Sequence, residues 1–279
     1  MRIGVCVKQV DLRPEVDPLT GAVAETDARF AGVSAADQAA LEIALQLAEA
    51  WPAEVVAVTV GPRRADAALR DCLAAGAGRA VRVDLDAGAP SRVVGAALAA
   101  QLSDAEVVCC GDWSLDRGSG SVPAFLAEEL GAAQALGLVA VEPGTSGALD
   151  VERRLDQGRR ELLRVHTPAV ISVEAGSARL RRAGLSGVLA ARHAAIEVAT
   201  PPAVPPDPVR MVSTAPYRPR ARMLNAPSSE LDARGRILAL TGALSDHEPP
   251  RIVTLGPEEA ADALLDQLRV WGYLDGPEA

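Results

Sequence analysis

Apolar positions in the first 175 residues follow two alternating patterns. Short continuous runs of aliphatic residues occur at 2–10 (RIGVCVKQV), 54–60 (EVVAVTV), 79–85, 106–110 (EVVCC) and 135–141. Between them, 34–50, 64–75, 90–102 and 121–131 have helical spacing. In 34–50, Ala40, Leu41, Ala44, Leu45, Leu47 and Ala48 make one apolar face. Ser34 stands where its hydroxyl can accept a free backbone N–H, and Gly76 suits the end of the second helix. Buried strands alternating with helices predict an α/β fold, doubly wound, with a mainly parallel sheet covered on both faces. Ligands in such sheets bind beyond the carboxyl ends of the strands. The segments expected to carry a site are therefore 8–13, 34–37, 60–64 and 111–122.

The pattern changes after residue 148. Leu149–Leu155 and Glu161–Val165 flank Asp156-Gln157-Gly158, a hairpin signal, and His166-Thr167-Pro168 leads into the apolar run Ala169–Val173. This predicts an antiparallel extension of the sheet. Segment 178–192 sets Leu185 between Gly184 and Gly187 among Arg179, Arg181, Arg182 and Arg192. The two glycines count against a stable helix. A mobile basic loop carrying a leucine anchor for a partner is the expectation, with an amphipathic helix packed on its own domain as the alternative. Residues 201–208 hold five prolines, an extended linker, and the basic segment 218–222 (RPRAR) follows. Helices are expected at about 229–243 and at 257–270, the latter opening on Pro257-Glu258-Glu259. The expected division is an α/β domain over 1–200 and an extended C-terminal arm over 201–279.

Composition narrows the function. The 279 residues carry a formal charge of -9, and Lys8 is the only lysine. This acid excess argues against nucleic acid and anionic membranes as main partners, since both require clustered cations. No apolar run reaches the ~18 residues of a membrane span, so membrane insertion is not expected. Met1 to Val10 lacks a signal-peptide pattern, and a cytoplasmic location is expected. Cys6, Cys72, Cys109 and Cys110 form no C-x-x-C pair and read as buried small hydrophobes. His166, His193 and His247 have no partner at metal spacing. Neither a metal nor a disulfide is expected.

The richest chemistry lies at 111–123 (GDWSLDRGSGSVP), directly after a strand. Gly118, Ser119, Gly120 and Ser121 run into a helix, whose N-terminal N–H groups and partial positive charge suit a phosphate. A flexible glycine-serine turn is the competing possibility. Residues 11–20 contain no glycine, so no dinucleotide fingerprint follows the first strand. No phosphate-loop lysine motif and no nucleophile elbow with an acid and histidine are present. Lys8 could meet a phosphate or a carboxylate, or end the strand in solvent. Asp37 and Asp116 could each accept from a ribose hydroxyl or cap a helix. Trp113 could be exposed for stacking or for a partner, or lie in the core.

Taken together, these segments resemble the β subunit of electron transfer flavoproteins, the FixA-type family. The first strand ends in that family's V-K-x-V pattern at Val7-Lys8-Gln9-Val10. Asp37, Ala40 and Glu42 match its first-helix pattern, and Val58–Pro62 matches the second strand and its Gly-Pro end. Leu73–Ala77 with Arg79-Ala80 matches a further segment. Gly111, Asp116, Gly120 and Val122 match its nucleotide loop, with Ser119 in place of threonine. Val151–Arg153, Pro168–Val170 and the last helix also match, so the resemblance covers nearly the whole chain.

The resemblance implies an adenine nucleotide α-hydrolase-like fold and a heterodimer with an α subunit that carries FAD. It implies AMP held by the β chain in a structural role, and a flavin-dependent dehydrogenase as the docking partner. Carried over by position, the cofactor-binding residues are Cys6, Ser34, Ala35, Ala36, Asp37, Val60, Gly111, Ser114, Asp116, Gly118, Ser119, Gly120, Ser121 and Val122. Leu185 falls on the family's anchor leucine, with Arg182 beside it. No catalytic residues are implied. Asp112-Trp113 replaces a Lys-Gln pair, Arg154 replaces an acid, and Ser186-Gly187 replaces Pro-Asn, which points to a divergent branch. A branch found with the redox-peptide cofactor mycofactocin diverges in this way. Two alternatives stand: a bifurcating-type β subunit binding its own FAD, and a universal-stress-type ATP-binding homodimer.

Overall fold

The first apolar run does not stay in one sheet. The computed structural model describes residues 1–24, 27–86, 88–203, 212–213, 227–241 and 254–271. In it the run divides into β1 (Arg2–Cys6) and β2 (Gln9–Asp11). β2 leaves the main sheet and pairs antiparallel with β3 (Ala31–Val33). The break falls at Lys8, whose backbone N–H donates to the Asp37 carboxyl at 2.9 Å and not to a strand.

The alternation then runs as its hydrophobic periods predict. α1 (Ala35–Ala50), β4 (Glu54–Val60), α2 (Asp66–Ala75), β5 (Arg79–Val83), α3 (Ser91–Leu102), β6 (Val107–Gly111), α4 (Val122–Leu130) and β7 (Ala133–Pro143) follow in order. Next come the hairpin of β8 (Ala148–Arg154) and β9 (Arg160–His166), then β10 (Ala169–Val173), α5 (Leu185–His193) and the edge strand β11 (Glu197–Ala199).

Among the described residues the main sheet has nine strands in the order β11-β5-β4-β1-β6-β10-β7-β8-β9. Neighbours from β11 to β7 are parallel, and β7-β8-β9 are antiparallel. The antiparallel extension is therefore the hairpin alone. β10, expected as part of it, inserts between β6 and β7 and runs parallel to both. All five β10 residues are buried, as a central strand covered on both faces requires.

One face of the sheet packs under α1 and α2, where Leu41, Leu45 and Leu69 meet Val5, Ala57 and Ile171. The other packs under α3 and α4, where Leu98, Leu102 and Leu126 meet Val56, Val58 and Val108. Gly4 lets α3 approach the sheet: a Cβ there would stand 2.7 Å from Leu102 Cδ2. The chain divides into two compact units, 1–217 and 218–279. In the second, α6 (Ala233–Thr241) and α7 (Pro257–Val270) form where helices were expected. The Glu259 side chain accepts the Gly256 N–H at 3.3 Å at the start of α7. The basic segment 218–222 lies outside the described residues. No helix among the described residues is long and apolar enough to cross a membrane.

Candidate functional site

The carboxyl ends of β1, β4 and β6, and the segment after β5, open onto one cavity of about 830 Å³, part of it open to solvent. Cys6 and Cys110 line it from the strand ends, and Val60, Val94 and Leu98 give it an apolar wall. Ser91 at the start of α3 and Ser121–Pro123 at the start of α4 also line it. Neither helix has a side-chain N-cap: Pro90 precedes α3, and Ser121 makes no capping bond to α4. Two sets of free backbone N–H groups, each with a partial positive charge, therefore border one cavity.

Asp37 organises the strand ends. Its N–H donates to the Ser34 hydroxyl at 3.2 Å, which places the carboxyl in the first turn of α1. There it accepts the Lys8 backbone N–H at 2.9 Å, and the nearby Gly111 N–H favours its charged form. Burial pushes this carboxyl up to about 7, against the pull of those two N–H groups and of the Lys8 charge. The group therefore changes charge near neutrality. A Cβ on Gly111 would stand 2.4 Å from Asp37 Oδ1, so the strand must end in glycine for the carboxyl to reach in.

The 112–121 loop is shaped by charge and by glycine. Lys8 Nζ pairs with Asp116 at 2.5 Å, so the one lysine meets a carboxylate of its own chain. Burial pushes Asp116 up, but bonds from Lys8 and Ser114 outweigh it and hold the carboxyl below its ordinary value. Arg117 donates to the carbonyls of Ala89 at 2.8 Å and Gly88 at 2.6 Å, tying the loop to the β5–α3 connection. Gly120 has φ +59°, and a Cβ there would stand 2.5 Å from the Asp112 carbonyl oxygen. Only glycine meets both conditions. Trp113 is 48% exposed at the cavity rim. The lining has no histidine, and the Ser119 and Ser121 hydroxyls bond each other at 3.0 Å. This arrangement can hold an anion beside an apolar group, and it offers no serine activated by a base.

Of the residues expected from the sequence, Cys6, Asp37, Val60, Gly111, Ser114, Ser119, Gly120, Ser121 and Val122 line the cavity. Ser34, Ala35, Ala36, Asp116 and Gly118 do not. Ser34 and Asp116 act one step back, on Asp37 and Lys8. Ala36 packs behind Gly111, Gly118 turns the loop at φ +63°, and Ala35 is exposed. Asp86, Ala89, Ser91, Val94 and Leu98 were not expected. The first three lie beyond the carboxyl end of β5, where the rule that ligands sit beyond strand ends places a site.

Of the two expectations for 178–192, the helix holds from Leu185: α5 starts there with Gly184 as its N-cap residue, while 178–184 is irregular. Gly187 serves packing: a Cβ there would stand 2.7 Å from the Ala74 carbonyl oxygen on α2. Arg70 Nη1 donates to the Ala191 carbonyl at 2.7 Å, and to those of Arg192 and Ala194, at the far end of α5. Upstream, the Arg181 guanidinium grips Glu42 at 3.0 Å and also bonds Glu49. Leu185 is 75% exposed on this mount, with Arg182 exposed beside it and Leu189 one turn on.

These features define a doubly wound α/β protein with a cavity beyond its strand ends and a helix, packed on α2, that exposes Leu185 and Leu189. Residues 21–204 match the electron transfer flavoprotein domain. The electron transfer flavoprotein subunit beta of Syntrophomonas wolfei is 30% identical over 203 residues, 71% of this chain and 79% of the relative. That of Methylophilus methylotrophus is 32% identical over 207 residues, 71% of this chain and 78% of the relative. Protein FixA of Rhizobium meliloti is 30% identical over 204 residues, 68% of this chain and 69% of the relative. The chain belongs to the electron transfer flavoprotein β-subunit family, and its role is electron transfer. The universal-stress-type alternative falls with this assignment.

Proposed function

We propose that the chain is the nucleotide-holding half of an electron transfer flavoprotein heterodimer. Its cavity takes AMP, its α partner carries FAD, and a flavin-dependent dehydrogenase docks on α5 around Leu185 and Arg182. The observation that carries the nucleotide reading is the convergence of two uncapped helix N-termini on a cavity with an apolar wall. The N–H groups of α3 and α4 suit a phosphate, and Val60, Val94 and Leu98 suit a base. Bound flavin supplies the electron-carrying ring of the complex. This chain's residues hold the nucleotide and present the docking helix. Since electrons pass between flavins by proximity, no acid or base is needed from it, and it has no catalytic residues of its own.

The half-exposed Trp113 ring at the rim favours a second reading, in which the cavity holds a larger FAD. Co-expression with an α subunit, followed by extraction and mass analysis of bound nucleotides, separates the two. AMP with one FAD per heterodimer supports the first reading, and two FAD support the second. A chain that recruits neither partner nor nucleotide refutes both.

A further inference from the structure

Cys6 and Cys110 stand opposite each other on neighbouring strands. β1 and β6 pair in parallel, with Cys6 in register with Cys110. Paired strands lie about 4.7–4.9 Å apart, within the ~4.4–6.8 Å Cα separation that a disulfide spans. Both side chains point to one face: both belong to the apolar cluster under α3 and α4, and both line the cavity. The neighbouring Cys6 thiol pushes the Cys110 thiol well above its ordinary value. Cys109 faces the opposite side of the sheet, and Cys72 lies in α2. Adjacent in sequence, Cys109 and Cys110 are therefore held apart by the pleat.

We propose that Cys6 and Cys110 form an oxidisable dithiol at the base of the cavity, converted to a disulfide by exchange with a low-molecular-weight disulfide. One thiolate attacks the small disulfide, forming a mixed disulfide and expelling one small thiolate. The second cysteine, as its thiolate, then attacks the protein sulfur of that mixed disulfide and expels the other. The two protein thiols lose two electrons and two protons in all, and the small disulfide gains both as two free thiols. The cavity is the route of attack, since Cys6 and Cys110 are only 8% and 4% exposed. With its thiol raised by the neighbouring Cys6 and by burial, little of Cys110 is thiolate at neutral pH, so exchange is slow. The dithiol stands on strand register alone. Its shielding by a bound nucleotide rests on the function proposed above.

The test uses the full-length protein, incubated for hours with hydroxyethyl disulfide, acid-quenched, alkylated and mapped by mass spectrometry. The expected product is a Cys6–Cys110 disulfide. The reduced protein should also bind one phenylarsine oxide, a reagent that bridges paired thiols. Cys6→Ser and Cys110→Ser should abolish both results, and Cys72→Ser should leave both intact. Should a serine variant fail to fold, the wild-type map and Cys72→Ser still decide. Four free thiols, stable mixed disulfides or a Cys109–Cys110 link would overturn the proposal. Saturating AMP should slow disulfide formation at least tenfold. If calorimetry shows AMP bound and the rate is unchanged, the shielding is overturned. If AMP does not bind and the disulfide forms, the nucleotide reading fails and the dithiol stands.

Discussion

Arg181→Met should loosen the mount of α5. The Glu42 side chain is 7% exposed and accepts from the Arg181 Nε, Nη2 and backbone N–H groups and from the Gln46 amide. Removing the guanidinium leaves a buried carboxylate with two neutral donors. Breaking a fully buried ion pair costs roughly 3–5 kcal/mol. The Arg181 side chain is 34% exposed, so solvent screens part of that cost, and a loss of about 2–3 kcal/mol is expected. For a unit of this size, that lowers Tm by about 5–10 °C.

The pH dependence gives the sharper test. In the wild type, burial raises the Glu42 pKa, but the Arg181 side chain, the Arg181 N–H and Gln46 outweigh it, and the net value is lowered. Its stabilising contribution is present above the ordinary carboxylate pKa and is lost as pH falls through the lowered folded value. In the variant, burial dominates and the carboxyl is raised, so protonation at low pH relieves the fold. The gap between wild type and variant should be widest near pH 7.5 and close below about pH 4. Adding Glu42→Gln to the variant should recover most of the loss. Urea unfolding followed by circular dichroism reads all three proteins. A gap under about 1 kcal/mol at pH 7.5, or one unchanged at pH 4, would refute the reasoning.

Three further outcomes are expected. Gly187→Ala gains about 1 kcal/mol of helix propensity but meets the Ala74 carbonyl oxygen at 2.7 Å, an overpacking cost of about 1–3 kcal/mol. The variant should be less stable by chemical denaturation, and a more stable variant sinks the packing account. Gly120→Ala must leave φ +59° and clear the Asp112 carbonyl oxygen, so AMP affinity by calorimetry should fall at least about tenfold, or ~1.4 kcal/mol; unchanged affinity would place the ligand elsewhere. Asp37, raised to about 7, keeps its proton in the folded chain where the unfolded chain has lost it. Between about pH 4 and pH 7 it should lower stability by roughly 1.4 kcal/mol per pH unit, levelling off above. Asp37→Asn should flatten that slope, and an identical slope in the variant would contradict the assignment.

The alternation of strands and helices was written in local periodicity. Caps and breakers sharpened the bounds: Ser34 starts α1, Gly76 follows α2, and Pro257 opens α7. The loop after β6 stood out because glycines and serines there run from a strand end into a helix, and it does border the cavity. Lateral strand order was not legible. A run such as Ala169–Val173 is apolar on both faces wherever it sits, so nothing in it distinguishes an extension from a central parallel strand. For α5 the helix was only the alternative, because glycine opposes a helix locally, whereas at Gly187 the approach of Ala74 requires it.

By itself, then, the sequence determined the class of fold, the strand–loop–helix that borders the cavity, and the family. Those properties reside in periodicity, glycine placement and spaced motifs, all local along the chain. Only the tertiary structure decided that Lys8 faces Asp116, that Asp37 lies buried between two strand ends, that α3 joins α4 at the cavity, and that Cys6 stands opposite Cys110. Each pair is separated by tens of residues. Its meeting depends on which strands neighbour which, and that is settled by how the whole core closes over the sheet.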